Sequence, residues 1–157
     1  MVRSSGPGRR GPLAVETISY ARVRGPLARL PADSGAGRRA RGVVIAATAR
    51  PGLAWAREPA ALIASELATN AALHGSPPVL ISVVPGADKV VIAVFDTSPN
   101  LPRRAEPSEF ATHGRGLAIV DSFSSAWEVE VTPGGKWVWA EVWRPTTERQ
   151  TLDGWAR

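Results

Sequence analysis

Residues 62–75 read LIASELATNAALHG, and this stretch decides the fold. Glu66, Asn70 and His74 recur every four residues inside a run that otherwise reads as a buried helix. Four residues turn a helix by about 400°, so the three polar groups share one face. Leu62, Ile63, Leu67, Ala71 and Leu73 spread over the rest of the surface. A carboxylate, an amide and an imidazole along a mostly apolar helix are costly to bury for packing alone. Two readings stand at this point. Glu66 and Asn70 form a solvated pair with His74 as a polar helix end before the stop residue Gly75, or a polar ligand lies against all three.

Three glycine-punctuated or turn-ended segments follow downstream. In VVIAVFDTSPNLP, residues 90–102, a continuous apolar run reads as an interior strand ending on Asp96. A carboxylate just past such a strand is placed to accept a hydrogen bond from an exocyclic amine, although Asp also commonly opens a turn. In HGRGLAIV, residues 113–120, two glycines flank Arg115 and lead into a helical stretch. Glycines permit close backbone approach, and a helix start offers unpaired N–H groups and partial positive charge, which together suit a phosphate. Gly134, Gly135 and Lys136 lie between the β-like runs 127–132 and 137–143, the pattern of a hairpin whose turn uses glycine at positive φ. Trp137, Trp139 and Trp143 fall on one face of the last strand, where an aromatic stripe reads as core or helix-facing surface.

Taken in order, a Glu-x-x-x-Asn helix, a strand-Asp-loop, a Gly-Arg-Gly-Leu helix start and a Gly-Gly hairpin resemble the N, G1, G2 and later glycine boxes of the GHKL (Bergerat-fold) ATPases. The phrases SELATNAALHG, GRGLAIVDSF and GGKWVWAEV look most like the small RsbW-like anti-sigma-factor serine/threonine kinases. The resemblance covers residues 26–144 and implies ATP and Mg²⁺ as ligands. It implies Asn70 as the Mg²⁺ ligand and Glu66 as the general base toward a protein serine. It makes Asp96 the adenine-reading carboxylate. His113, Gly114, Arg115, Gly116 and Leu117 become the end of a lid over the phosphates, with His74, Ser98 and Asn100 lining the nucleotide. The partners it implies are a sigma factor or similar regulator and a serine-bearing antagonist, with a homodimer as the form in which the family often works. Arg38, Arg39 and Arg41 are candidate contacts.

The departures from the family pattern are specific. The G1 box is usually Asp-x-Gly-x-Gly, and Ser98 and Asn100 replace both glycines here. Where many relatives carry threonine beside the adenine, this chain has Lys136 and Trp137. An indole there would stack on the base or obstruct it. The lid segment, residues 103–113, is short and contains Pro107. An enzyme and a nucleotide-sensing binding module without phosphoryl transfer both fit this set.

The fold expected is a two-layer α/β sandwich: a mixed, mainly antiparallel sheet with helices on one face. A basic, disordered leader spans residues 1–24, one ATP-binding domain residues 25–145, and a loose tail residues 146–157. Within the domain, 25–30 reads as a first strand. Residues 34–49 read as a helix capped by Ser34, and a second helix opens at Glu58-Pro59. The chain has 157 residues and no cysteine, which fits one modest core and excludes disulfides and cysteine-ligated zinc. No apolar run has the length of a membrane span and no early stretch reads as a signal peptide, so a cytoplasmic protein is expected. Residues 1–41 hold nine arginines against Glu16 and Asp33, so the +5 net charge is a basic leader on a mildly acidic domain. No aromatic interleaving supports base stacking, and nucleic acid is not an expected partner.

Overall fold

The computed structural model describes residues 2–4, 25–102 and 115–146. The elements run β1 (Val2–Ser4), β2 (Leu27–Leu30), α1 (Ala36–Ala47), α2 (Ala54–His74), β3 (Val79–Pro85), β4 (Lys89–Asp96), α3 (Arg115–Phe123), β5 (Ala126–Thr132) and β6 (Gly135–Trp143). The strands form one six-stranded sheet in the order β1-β5-β6-β4-β3-β2. Every pairing among the described residues is antiparallel, and the α/β sandwich with a mainly antiparallel sheet expected from sequence is the fold observed. Hairpins join β3 to β4 and β5 to β6, and that short connectivity imposes antiparallel neighbours. Val2–Ser4, within the stretch read as a leader, pairs along β5. The remainder of that leader, the lid segment 103–114 and the tail from 147 lie outside the described residues.

The sheet has two buried faces of unequal size. Side chains alternate along a strand, and Val79, Ile81 and Val83 of β3, Val90, Ile92 and Val94 of β4, and Val138, Ala140 and Val142 of β6 face the helices in the main core. The opposite face holds a smaller cluster of Val91, Ala93, Trp137 and Trp139, flanked by Leu80, Val84 and Phe95. The tryptophan stripe therefore faces away from the helices. Phe95 and Trp137 pair there with ring centroids 5.2 Å apart.

Helix α2 lies at the centre of the helical layer and packs against α1, α3, β3, β4 and β6. Its buried positions are mostly alanine: Ala56, Ala60, Ala61, Ala64, Ala68 and Ala71, with Ile63 and Leu67. Small side chains let one helix approach several neighbours at once. Gly37 of α1 does the same at the crossing, where a Cβ would stand 2.5 Å from Thr69 Oγ1 and 2.9 Å from Ser65 Oγ.

Two helix starts differ from the sequence reading. α2 begins at Ala54 rather than at Glu58-Pro59, leaving Pro59 inside the helix. Leu53 and Ala56 are buried, and packing of this extra turn outweighs the carbonyl that Pro59 leaves unpaired. α1 is capped by Gly35, not Ser34. Asp33 organises that turn: its Oδ1 accepts from the Gly35 N–H at 2.8 Å and from Arg39. The Arg39 guanidinium, then the Gly35 N–H, hold the Asp33 carboxyl below its ordinary range. At the other end of α1, Arg57 of α2 donates to the Thr48 carbonyl at 3.0 Å.

The α1–α2 crossing is directly testable. Gly37→Val should lower stability by about 1–3 kcal/mol through overpacking. Gly42→Ala, in the same helix with nothing within 4 Å of the added Cβ, should raise it by about 0.5–1 kcal/mol. Urea denaturation of the two variants measures both.

Candidate nucleotide site

The site is built where the C-terminal end of α2 meets the end of β4. Asp96, the last residue of β4, is buried on the helix-facing side of the sheet. Gly75 follows α2 directly, with extended backbone at φ −102°, so it serves by size rather than by positive φ. A Cβ there would lie 3.0 Å from Asp96 Cβ and 2.8 Å from the Ala71 carbonyl. Thr97 fastens the two elements. Its Oγ1 donates to the Ser76 carbonyl at 2.7 Å and accepts from the Ser76 N–H at 2.9 Å.

Gly135 supports Asp96 from the β5–β6 hairpin. Its φ is +152°, and a Cβ would overlap the Asp96 carbonyl oxygen at 2.2 Å. Only glycine meets both demands. The next residue, Lys136, sits opposite Asp96 in the β4–β6 register, on the same face of the sheet. Its Nζ donates to Asp96 Oδ1 at 2.7 Å and to the Ser98 carbonyl at 3.2 Å. Both side chains are 6% exposed. Asp96 Oδ1 also accepts from the Ser98 N–H at 2.8 Å, and Ser98 Oγ accepts from the Asn100 N–H at 3.2 Å. Among the described residues no hydrogen bond goes to Asp96 Oδ2.

These bonds explain how the loop holds its shape without the two glycines. Ser98 is buried, and its backbone closes a turn on Asp96 in the manner of an Asx turn. Asn100 is exposed. Trp137 neither stacks on a ligand at Asp96 nor obstructs it, because it projects from the opposite face of the sheet and is buried against Phe95. The alternation that carries Asp96 and Lys136 toward the helices carries Phe95 and Trp137 away from them.

Along α2, Glu66 and Asn70 are half-buried and His74 is exposed. Glu66 and Asn70 have no hydrogen-bond or ion-pair partner among the described residues. The reading of the two as a satisfied side-chain pair is therefore incorrect. α3 packs beside α2; Arg115 and Gly116 open it, and Leu117 is buried in the main core. His113 and Gly114 lie outside the described residues. No cluster of three or more His, Cys, Asp or Glu able to hold a metal occurs among the described residues.

The sequence reading missed Lys136 as a site residue, together with Gly75, Thr97 and Gly135. The signal for Lys136 was present: residues 138, 140 and 142 share its parity, and the hairpin returns it toward the strand ending on Asp96. The arrangement fits a nucleotide. Uncommitted polar atoms at Glu66, Asn70 and Asp96 Oδ2 stand on elements joined through Gly75 and Thr97.

A model of the histidine kinase-like ATPase domain family matches residues 30–142. The match spans most of the chain, from the end of β2 to the last strand. The chain belongs to that family. A search of curated proteins found no match.

The buried pair is a stability determinant as well as a site feature. Lys136→Met strands a buried carboxylate and should cost about 3–5 kcal/mol. Adding Asp96→Asn removes the stranded charge and should recover more than half of that loss. A double-mutant cycle by chemical denaturation at neutral pH measures the difference.

Proposed function

We propose that this chain is an ATP-binding regulatory protein of the anti-sigma-factor type, a protein serine/threonine kinase that sequesters a regulator and phosphorylates an antagonist in the cytoplasm. The observation that carries this reading is the pair Glu66 and Asn70: a half-buried carboxylate and a half-buried amide, one helical turn apart, with no hydrogen-bond or ion-pair partner among the described residues. Unpaired polar groups in such a position cost stability unless a ligand uses them.

ATP would supply the phosphoryl group, and Mg²⁺ would neutralise charge on it. The chain's own residues divide the remaining work. Asn70 offers its amide oxygen to the metal. Glu66 takes the proton from the antagonist's serine hydroxyl as the oxygen bonds to the terminal phosphorus and the diphosphate leaves. Asp96 accepts from the base. Gly116 and Arg115 bring the start of α3, with its unpaired N–H groups and positive dipole end, to the side of α2.

The regulator is a sigma factor or a protein of similar role, the antagonist bears the target serine, and the working form is a homodimer. Among the basic residues of α1, Arg39 is paired with Asp33 and Arg41 with Glu58. Arg38 is exposed, makes no hydrogen bond or ion pair among the described residues, and is the contact group of this set. Among the described residues no helix is long and apolar enough to cross a membrane.

A second reading keeps the nucleotide and drops the transfer. It is favoured by the loop after Asp96, where Ser98 donates its backbone N–H to Asp96 Oδ1 and accepts the Asn100 N–H on its Oγ, in place of glycine mobility. On that reading the chain senses nucleotide and grips its partner without modifying it.

Thermal unfolding with MgATP tests the common ground. At about a hundred times its dissociation constant a ligand adds roughly 2.7 kcal/mol, which for this size is a rise of roughly 5–10 °C. The rise should require Mg²⁺ and vanish in Asn70→Ala. Labelled phosphate transferred to a serine-bearing antagonist by the wild type, but not by Glu66→Gln, identifies the kinase. MgATP binding with no transfer to any candidate antagonist selects the sensing module.

A further inference from the structure

Lys136 turns the carboxylate at the end of β4 into a couple of opposite polarity. Its ammonium stands 2.7 Å from Asp96 Oδ1, and both side chains are 6% exposed. Nζ carries three protons, and two are given to Asp96 Oδ1 and the Ser98 carbonyl. One remains. On the carboxylate, Oδ1 already accepts from the Ser98 N–H and from Lys136, while Oδ2 accepts from no described residue. Among the described residues the pair therefore keeps one unused acceptor and one unused donor. Its formal charges cancel, so a neutral base binds there without burying net charge.

The order of the two groups matters because a base edge has a polarity. Adenine carries a donor at N6 followed by an acceptor at N1; guanine carries an acceptor at O6 followed by a donor at N1. A couple that takes N6–H on Oδ2 and gives a proton to N1 satisfies adenine with both bonds. Guanine in the same position meets both bonds reversed. A lone carboxylate leaves guanine a second position that this couple closes. Shifted along its edge, guanine can give N1–H and a 2-amino N–H to the two oxygens of a free carboxylate. Beside Asp96 that shift sets the 2-amino group against the Lys136 ammonium, donor against donor, and Oδ1 is already taken by Ser98 and Lys136.

We infer, resting on the nucleotide site proposed above, that Lys136 is a specificity-determining residue: it gives its remaining proton to N1 of adenine and excludes guanine in either position. Asp96 alone reads a donor. Asp96 with Lys136 reads a donor and an acceptor in a fixed order. Discrimination comes from the bonds the wrong base leaves unmade in a buried site, where an unpaired polar group is costly.

Calorimetric titration of the full chain with the Mg²⁺ complexes of ATP, GTP and 1-deaza-ATP tests this. The last keeps the N6 amine and carries C–H in place of N1, so it removes only the bond assigned to Lys136. The wild type should bind 1-deaza-ATP about tenfold more weakly than ATP, and GTP more weakly by about tenfold or more. In Lys136→Met both differences should narrow to within about threefold. Wild-type binding of 1-deaza-ATP or GTP within about threefold of ATP would overturn the inference, as would differences that persist unchanged in Lys136→Met. If the variant does not fold, the wild-type comparison decides alone. ATP binding that is indifferent to N1 refutes the role of Lys136 and leaves the nucleotide site standing. Binding of none of the three by the wild type refutes the nucleotide site itself, and this inference with it.

Discussion

The β4–β6 register is the constraint on which the site depends. It sets Asp96 opposite Lys136 and Phe95 opposite Trp137, and alternation then sends the first pair toward the helices and the second away. A slip of β6 by one residue would turn Trp137 and Trp139 toward α2 and carry Lys136 to the far face, away from Asp96. Hydrophobic burial resists that slip at every position of both strands, because Ile92, Val94, Val138 and Ala140 belong to the main core and Val91, Ala93, Trp137 and Trp139 to the smaller one. The ion pair adds a penalty of its own. Either partner facing the wrong layer would be a buried charge without its counterion. Packing and electrostatics thus specify the same pairing, and Gly135, which alone tolerates the overlap with the Asp96 carbonyl, fixes where the hairpin turns.

Much of this architecture was legible in the sequence because the strands and α2 carry strong local signals. The run 90–95 is apolar throughout, as a strand buried on both faces must be. The hairpins announced themselves by Gly86 and Gly134-Gly135, and the order of the elements pointed to the family to which the chain belongs. Glu66, Asn70 and Asp96 were legible for the same reason: each interrupts an apolar pattern where interruption is expensive. The start of α2 was not legible, since Pro59 is a strong local stop and the packing of Leu53 and Ala56 that overrides it is tertiary. The cap of α1 was missed because Asp33 acts through Gly35, a neighbour without a side chain. Lys136 was noticed only as a departure from a family pattern. Its pairing with Asp96 is a contact across forty residues, and no window along the chain contains both.

Helix α2 shows how a sequence can place polar groups in a core layer at tolerable cost. It is apolar on nearly all sides, which in a surface helix would be a fault but suits a helix with neighbours on several sides. Alanine at six of its buried positions brings α1, α3 and the sheet close. The face bearing Glu66 and Asn70 meets no hydrogen-bonding or ion-pairing group among the described residues. Where a satisfied pair would have rigidified the helix surface, these groups remain half-buried and unspent.

The end of the candidate site at Asp96 is organised in the opposite way. Thr97 is tied to Ser76, Ser98 to Asp96, and Lys136 to both strand end and loop. Every one of these bonds exists before any ligand arrives, so little ordering cost falls on binding. A glycine-rich loop can adapt its backbone to the base it meets; one locked by side chains cannot. Discrimination at such a site must come from the fixed donors and acceptors it displays. The substitutions at 98 and 136 therefore belong together. Ser98 stiffens the loop through its hydroxyl, and Lys136 changes the charge that the stiffened loop presents.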